Sequence, residues 1–168
     1  IEPVQVEGGG YDFYLPSSSV LSVETRFFQS TPEKTLTIPS TAARVITVGA
    51  YDTYTEAYAD FSGRGRNMPP SSVNIKPDFV APGVNIKTLS PGNVPVAVSG
   101  TSFATPFASG SAALLMEWGI VRENDPFLYG EKVKAYLRRG ARTLRSESVY
   151  PNNRVGWGAL CLAGSLPD

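Results

Sequence analysis

Apolar residues recur along this chain with two different periods. The change from one to the other falls near residue 100. In the first part the period is two or the run is continuous. Tyr11, Phe13 and Leu15 alternate with Asp12 and Tyr14 after the Gly8-Gly9-Gly10 turn. That pattern predicts a strand with one buried face, broken by Pro16-Ser17-Ser18-Ser19. Thr35 to Ile38 is a short β-prone run ended by Pro39. Arg44 to Tyr51 is nearly all apolar and β-branched, as a strand covered on both faces should be. Asp52 to Glu56 reads as a polar turn, Tyr58 to Phe61 as a second short strand, and Gly63 through Ser72 as a loop. Val80 to Pro82 and Val84 to Ile86 read as strand pieces around a Pro-Gly turn, with a loop over Thr88 to Asn93. Val94, Val96 and Val98 then alternate with Pro95, Ala97 and Ser99, which predicts a buried strand.

After Gly100 the pattern turns helical. A helix is expected to open at Ser102, with Pro106 in its first turns, where a missing N–H costs least. Ala104, Ala108 to Ala113 and Leu114 to Met116 place small or apolar side chains nearly all round it, which predicts a buried helix that Gly119 ends. Gly110 costs about 1 kcal/mol of helix propensity, and close approach to a neighbour would be the compensation. Asn124-Asp125-Pro126 restarts a helix. Val133, Tyr136, Leu137, Ala141 and Leu144 form its apolar stripe, with Lys132, Lys134, Arg138, Arg139 and Arg142 mostly off it. Several of these cations fall near the helix C-terminus, where positive charge is favoured.

The strand–turn–helix around Val98 to Pro106 carries the candidate chemistry. A serine at the start of a helix sits at the positive end of the dipole, beside backbone N–H groups with no partner in the helix. Such donors stabilise a developing oxyanion in acyl transfer. Ser102 read by itself is equally an N-cap, a common structural role.

Composition narrows the rest. The 168 residues suffice for one domain and one core, and 42% apolar with 18% charged residues marks a globular chain. Lys and Arg number 15 and Asp and Glu number 15, so no polyanionic partner is implied. A nucleic-acid face on the second helix is disfavoured by this neutrality and by the lack of interleaved aromatics. No apolar run of membrane-spanning length is present, so no membrane partner is expected. A signal peptide is not visible, and the start at Ile1 reads as a fragment, a processed product or a trimmed chain. Cys161 is the single cysteine, read as a free thiol rather than a second nucleophile. With no histidine and one cysteine an ordinary zinc site within this chain is excluded; calcium stays open, but Asp52, Glu56 and Asp60 are too sparse to nominate, so no metal ligand is named. No phosphate-cradling glycine motif is present and no cofactor is expected. The α/β-hydrolase elbow fails at Ala104. Asp78, in Lys76-Pro77-Asp78, is read as a turn carboxylate bonded to nearby backbone, and Arg64 and Arg66 as solvated loop charges.

Gly100-Thr101-Ser102-Phe103-Ala104-Thr105-Pro106 resembles G-T-S-x-A-x-P, the nucleophile motif of the subtilisin-like serine proteases (subtilases, peptidase S8). Ala43 to Ala50, Phe61-Ser62 with Lys76-Pro77-Asp78-Phe79-Val80-Ala81-Pro82-Gly83, and Val155 to Leu160 resemble further blocks of that family in the family's order. The resemblance covers roughly residues 40 to 165, the C-terminal part of the domain. It implies an α/β fold: a mostly parallel sheet flanked by helices, with a β-rich N-terminal segment over 1–40 and the catalytic-domain part over 41–168. Thr37-Ile38-Pro39-Ser40-Thr41-Ala42 resembles subtilases of spore-forming bacteria that carry an inserted β-domain, so 1–40 would be the tail of such an insertion. The alternative is an ordinary surface excursion. Phe107 stands where many members have a histidine that is not the triad base.

The resemblance implies a serine endopeptidase acting on polypeptides, with Ser102 as nucleophile and Gly100, Thr101 and Ser102 as the oxyanion and nucleophile turn. The family's triad runs Asp, His, Ser along the chain. This chain has no histidine at all. The His, the Asp and the oxyanion Asn would then come from an upstream half of the same protein, and this chain alone is expected to be inactive. Secretion or spore or cell-surface association is the family's habit. A sheet edge and helix faces meant for upstream strands would be exposed, which predicts self-association. The rival readings are a pseudoprotease that keeps the fold as a binding or scaffolding protein, and an autonomous β-rich module around residues 1 to 60.

Overall fold

The computed structural model describes residues 11–16 and 20–167. Two compact units divide at Thr31/Pro32. In the first, Tyr11 and Phe13 meet edge to face at 5.4 Å, and Ser22 and Thr25 close a turn through both backbone and hydroxyls. The strand expected over Tyr11 to Leu15 is corrected: residues 11–16 have no regular structure, and Tyr11, Phe13 and Tyr14 are exposed. Alternation makes a strand only where a neighbouring strand accepts its ladder, and among the described residues none pairs with these. No strand occurs among the described residues between 11 and 40; residues 1–10 and 17–19 of the expected β-rich segment, with its Gly8-Gly9-Gly10 turn, lie outside the described residues.

The second unit is a small α/β assembly. Its main sheet has the order β2–β1–β3, where β1 is Val48–Asp52, β2 is Ala57–Tyr58 and β3 is Phe79–Pro82. β1 and β3 are parallel, with Val48 opposite Phe79 and Ala50 opposite Ala81, and β2 returns antiparallel along β1. The expected strand over Arg44 to Tyr51 therefore begins only at Val48. Thr47 still extends the ladder, since its N–H donates to the Asp78 carboxylate at 2.6 Å and its carbonyl accepts from Asp78 N–H at 2.8 Å. Beyond β3 the tail adds a bridge: Val80 N–H donates to Gly158 and Leu160 N–H to Val80. The Gly156-Trp157-Gly158 turn thus delivers the tail to the edge of the sheet, not over its face.

β4 (Ile86–Ser90) and β5 (Val94–Val98) form a separate antiparallel hairpin. Two expectations are corrected here. Residues 86–90 are strand where a loop was expected from Thr88, and β5 is largely exposed where burial was expected. A two-stranded ribbon has nothing to cover its outer side, so valine alternation marks the strand without deciding its burial.

α1 (Thr101–Met116) lies across β1 and β3 and continues through a π-helical turn over Glu117–Val121. Gly119 therefore does not end it; this glycine is buried because a Cβ there would meet Leu128. α2 (Glu131–Arg139) follows, then the short α3 (Leu162–Ser165). Leu144 of the expected α2 stripe is buried but lies beyond the helix end, while Val133 and Leu137 bury as expected. The core has three parts. Phe79, Ala108, Leu115, Leu128, Val133 and Leu137 join α1 and α2 to one face of the sheet. Tyr51, Tyr58, Val80, Leu144, Val155 and Ala159 fill the other face. Between β1, β3 and the start of α1 the buried residues are the alanines Ala50, Ala59, Ala81 and Ala104, edged by the partly buried Val48, Val84 and Leu160. Small side chains there let the helix start sit close against the sheet.

The burial expected all round α1 is corrected. Only Ala104, Ala108 and Leu115 are buried, while Phe107, Leu114 and Met116 are exposed. Gly110 has nothing within 4 Å of a would-be Cβ, so no close neighbour compensates it. Among the described residues no helix is long and apolar enough to cross a membrane.

Candidate active site

The chain approaches Ser102 through two close backbone passes. Gly83, just after β3, donates its N–H to Tyr51 and accepts from Gly100 N–H at 2.8 Å. A Cβ on Gly83 would lie 2.6 Å from Ala50 Cβ and 3.1 Å from the Gly100 carbonyl, so only glycine fits. Gly100 itself has φ +154° and ψ 156°, a conformation other residues rarely adopt. Its carbonyl accepts from Phe103 N–H at 3.0 Å and starts α1.

Helix numbering decides the role of Ser102. Gly100 is the N-cap and no side chain caps the helix, so Ser102 is the second helical residue. The N-cap alternative for Ser102 is thereby removed. The side chain is exposed, and its backbone N–H belongs to the first turn, where donors have no intrahelical acceptor. Pro106 is the sixth helical residue, in the first two turns as expected but past the four whose N–H lacks an intrahelical partner. It removes the bond that the Ser102 carbonyl would otherwise accept, and Thr105 hydroxyl donates to the Thr101 carbonyl at 3.0 Å beside it.

Ser102 and Thr101 open onto a cavity of about 600 Å³, lined also by β1 residues Val48 and Gly49, by Asp60 to Gly63, and by parts of 32–40. The volume lies within the range of ordinary ligand pockets. Ser62 supports its floor: the hydroxyl accepts from Ala50 N–H at 3.0 Å, and a Cβ on Gly49 would meet that same oxygen. Phe61-Ser62 was read from sequence only as part of a family block; its second residue ties the loop to β1.

Asp78, read as a turn carboxylate, is a larger structure. It is fully buried and accepts from Thr47 N–H, from Lys76 Nζ at 2.8 Å, and from both Nε (2.7 Å) and a terminal nitrogen of Arg138. Arg138 lies over the Trp157 ring at 4.0 Å. Lys76 also donates to the Val45 carbonyl at 2.5 Å. Burial pushes the Lys76 amine below its ordinary range, against the opposing pull of its bond to Asp78. Lys134 is buried too, donating to the Ala43 carbonyl. Of the cations read as mostly off the apolar stripe, Lys134 and Arg138 thus turn inward to protein acceptors. The signal available in sequence was their i, i+4 spacing beside the Val133/Leu137 pair. Arg64 likewise is not simply solvated: it pairs with Glu33 at 3.2 Å, lies over Tyr58 at 5.3 Å, and its pKa is raised chiefly by the hydrogen bond to Tyr58.

The chain contains no histidine, and no other candidate base for Ser102 was nominated from the sequence. Among the described residues no group of His, Cys, Asp and Glu is arranged to hold a metal ion. Cys161 is a free, half-buried thiol whose sulfur accepts from Gly164 N–H at 3.4 Å and caps α3.

Comparison with known proteins agrees with this architecture. Serine protease AprX of Bacillus subtilis is 34% identical over 154 residues, covering 80% of this chain and 32% of that protein. Among solved structures, the CspB protease of Clostridium perfringens has 47% identity and a TM-score of 0.76, covering 84% of this chain and 29% of that one. The patellamide maturation protease PatA has 32% identity and a TM-score of 0.62, covering 80% of this chain and 46% of its own. The chain thus spans from under a third to under half the length of these relatives. The family model for the subtilase family, peptidase S8, matches residues 22–158. This chain belongs to the subtilase family, the subtilisin-like serine proteases.

Proposed function

We propose that this chain carries the nucleophile half of a subtilisin-type serine endopeptidase site. Ser102 Oγ attacks the carbonyl carbon of a polypeptide substrate, and the Ser102 backbone N–H is one donor to the oxyanion. Gly100 and Thr101 set the turn that presents both. The observation that carries the reading is the position of Ser102 as the second residue of α1. There its hydroxyl is exposed to a cavity and its N–H is free of intrahelical bonding.

A serine hydroxyl is a weak nucleophile until a base takes its proton. The base (His), the Asp that orients it and the Asn that completes the oxyanion hole come, in this reading, from an upstream half of the same protein. The chain alone then performs no triad catalysis. Residues 1–40 are proposed as the tail of an inserted domain and 41–168 as the C-terminal part of the catalytic domain.

The test is fluorophosphonate labelling with mass mapping of the adduct, on the chain alone and on the chain joined to its upstream half. The expected result is an adduct on Ser102 only in the joined protein. Labelling or peptide hydrolysis by the chain alone, abolished in Ser102→Ala, would overturn the claim of inactivity. A folded, joined protein with no adduct would favour the second reading, a pseudoprotease that binds or scaffolds; the absence of histidine from this chain is the observation on its side.

A further inference from the structure

Phe103 is a large apolar side chain with no place in the core. It is the third residue of α1, half-buried, and among the described residues it joins none of the three core clusters. Side chains on a helix lean back toward its N-terminus and cover the turn before their own Cα. For the third residue of α1 that turn begins at Gly100. A Cβ on Gly100 would lie 3.6 and 3.7 Å from two carbons of the Phe103 ring, ordinary contact distances. The ring therefore covers the side of Gly100 from which a side chain would project. The space between them is one methyl group wide, too narrow for water. The peptide groups of Gly100 are held by other means. Its N–H donates to the Gly83 carbonyl at 2.8 Å, and its carbonyl accepts from Phe103 N–H at 3.0 Å.

Gly100 has φ +154°, and a sparsely populated conformation persists only where its surroundings over-determine it. The two backbone bonds are open to any residue at position 103. The ring is the one contact that depends on which side chain stands there. Its place also matters to Ser102. The Ser102 backbone nitrogen lies 3.9 Å from the same would-be Cβ of Gly100, so a shift of Gly100 shifts that donor. An apolar cover beside a donor keeps water away, and a fixed donor is worth most to a developing oxyanion where water is excluded. Thr101, Ser102 and Thr105 line the cavity in front of the serine, and Phe103 does not. The ring thus acts on the turn and not on a substrate.

We propose that Phe103 is a positioning residue: its ring, laid over Gly100, holds the nucleophile turn and the Ser102 N–H in the geometry that acyl transfer uses. The proposal rests on the endopeptidase reading for the chemistry, and on the Gly100 contact alone for the hold on the turn. The test is hydrogen exchange of the Gly100 amide in this chain, read by NMR. It is paired with the rate of fluorophosphonate labelling of Ser102 in the chain joined to its upstream half. In Phe103→Ala the Gly100 amide is expected to exchange about 10-fold faster, by local opening. The Val80 and Leu160 amides, bonded within the sheet, should keep their rates. Labelling should slow by about 10- to 100-fold, the scale of a small misplacement of a reacting group. Phe103→Tyr keeps the ring and should restore both rates. Phe103→Leu keeps apolar volume without a flat face, so it should stay folded and still speed exchange at Gly100, which serves if the alanine variant unfolds. Unchanged Gly100 exchange, equal acceleration at Val80 and Leu160, or no rescue by Phe103→Tyr overturns the proposal. Absence of a Ser102 adduct from the unsubstituted joined protein overturns the endopeptidase reading instead, and the Gly100 exchange rates still decide the hold on the turn.

Discussion

Arg138, on the last turn of α2, closes a fork onto the carboxylate of Asp78, which lies fully buried beside β3. Asp78 thereby joins three stretches: α2 through Arg138, the entry to β1 through Thr47, and its own Lys76. Removing one member of a buried pair strands the other charge, which costs on the order of 3–5 kcal/mol. Asp78→Ala leaves two cations without their shared acceptor and is expected to lose at least that. Arg138→Met leaves Lys76 and Thr47 on the carboxylate and should lose less. Urea unfolding of the two variants checks the order; equal losses would show that Asp78 does not hold all three stretches.

Ser102 carries no structural duty as a cap. Ser102→Ala should therefore change stability by no more than about 0.5 kcal/mol, the usual range for an exposed position. A serine N-cap would lose about 1 kcal/mol or more. Thermal or denaturant melts of the variant distinguish the two, and a loss at the larger value would return Ser102 to a capping role.

Gly100 is the converse case. Its φ of +154° suits glycine, and nothing lies within 3.4 Å of a would-be Cβ, so the cost of alanine there is backbone strain and not a clash. Gly100→Ala is expected to lose about 1–3 kcal/mol. The strain relaxes by moving the turn, so Ser102 labelling in the joined protein should fall together with stability. An unchanged melt would mean the turn tolerates a side chain.

Asp125 precedes α2 and accepts from Lys132, and that bond holds its carboxyl below the ordinary carboxylate value, with Tyr136 adding to it. A folded-state pKa below the unfolded one means the unfolded chain binds more protons in acid. The contribution is thus present above the ordinary value of 3.8 and is lost as pH falls through the lower, folded value. Lys132→Met should raise the Asp125 pKa and flatten this acid limb. Carboxyl NMR titration of both proteins measures it, and an identical Asp125 midpoint in the two would refute the assignment.

Phe107 and Leu114, two turns apart on one face of α1, are exposed to water, and Met116 is exposed on the opposite side. Exposed apolar surface of this kind drives association. Light scattering is expected to show self-association of the isolated chain, and Phe107→Lys with Leu114→Lys should reduce both association and apolar-dye binding. A monomer with no dye binding, before any substitution, would contradict this.

The turn and helix start around Ser102 were legible because they are local. Seven consecutive residues set a turn, a helix start and a hydroxyl, and each of those properties depends on near neighbours in sequence: the glycine that bends, the alanines that pack, the proline that cannot donate. The α/β class followed from a family resemblance spread over residues 40 to 165, while the pairing of β1 with β3 came from the structure. Burial was less legible, because it belongs to the surroundings and not to the pattern. Val94 to Val98 and the small residues of α1 have the alternation and composition of buried elements, yet both are largely exposed. Tyr11 to Leu15 have strand alternation, and no strand among the described residues pairs with them. Lys134 and Arg138 carry full charges, yet turn inward because a carbonyl from residue 43 and a carboxylate from residue 78 await them. The sequence by itself determined the family blocks over residues 40 to 165 and the absence of histidine from this chain. Only the tertiary structure decided where the cations go and that Asp60 shares a cavity with Ser102. Those outcomes depend on pairings between residues tens of positions apart, which folding brings together and no local pattern records.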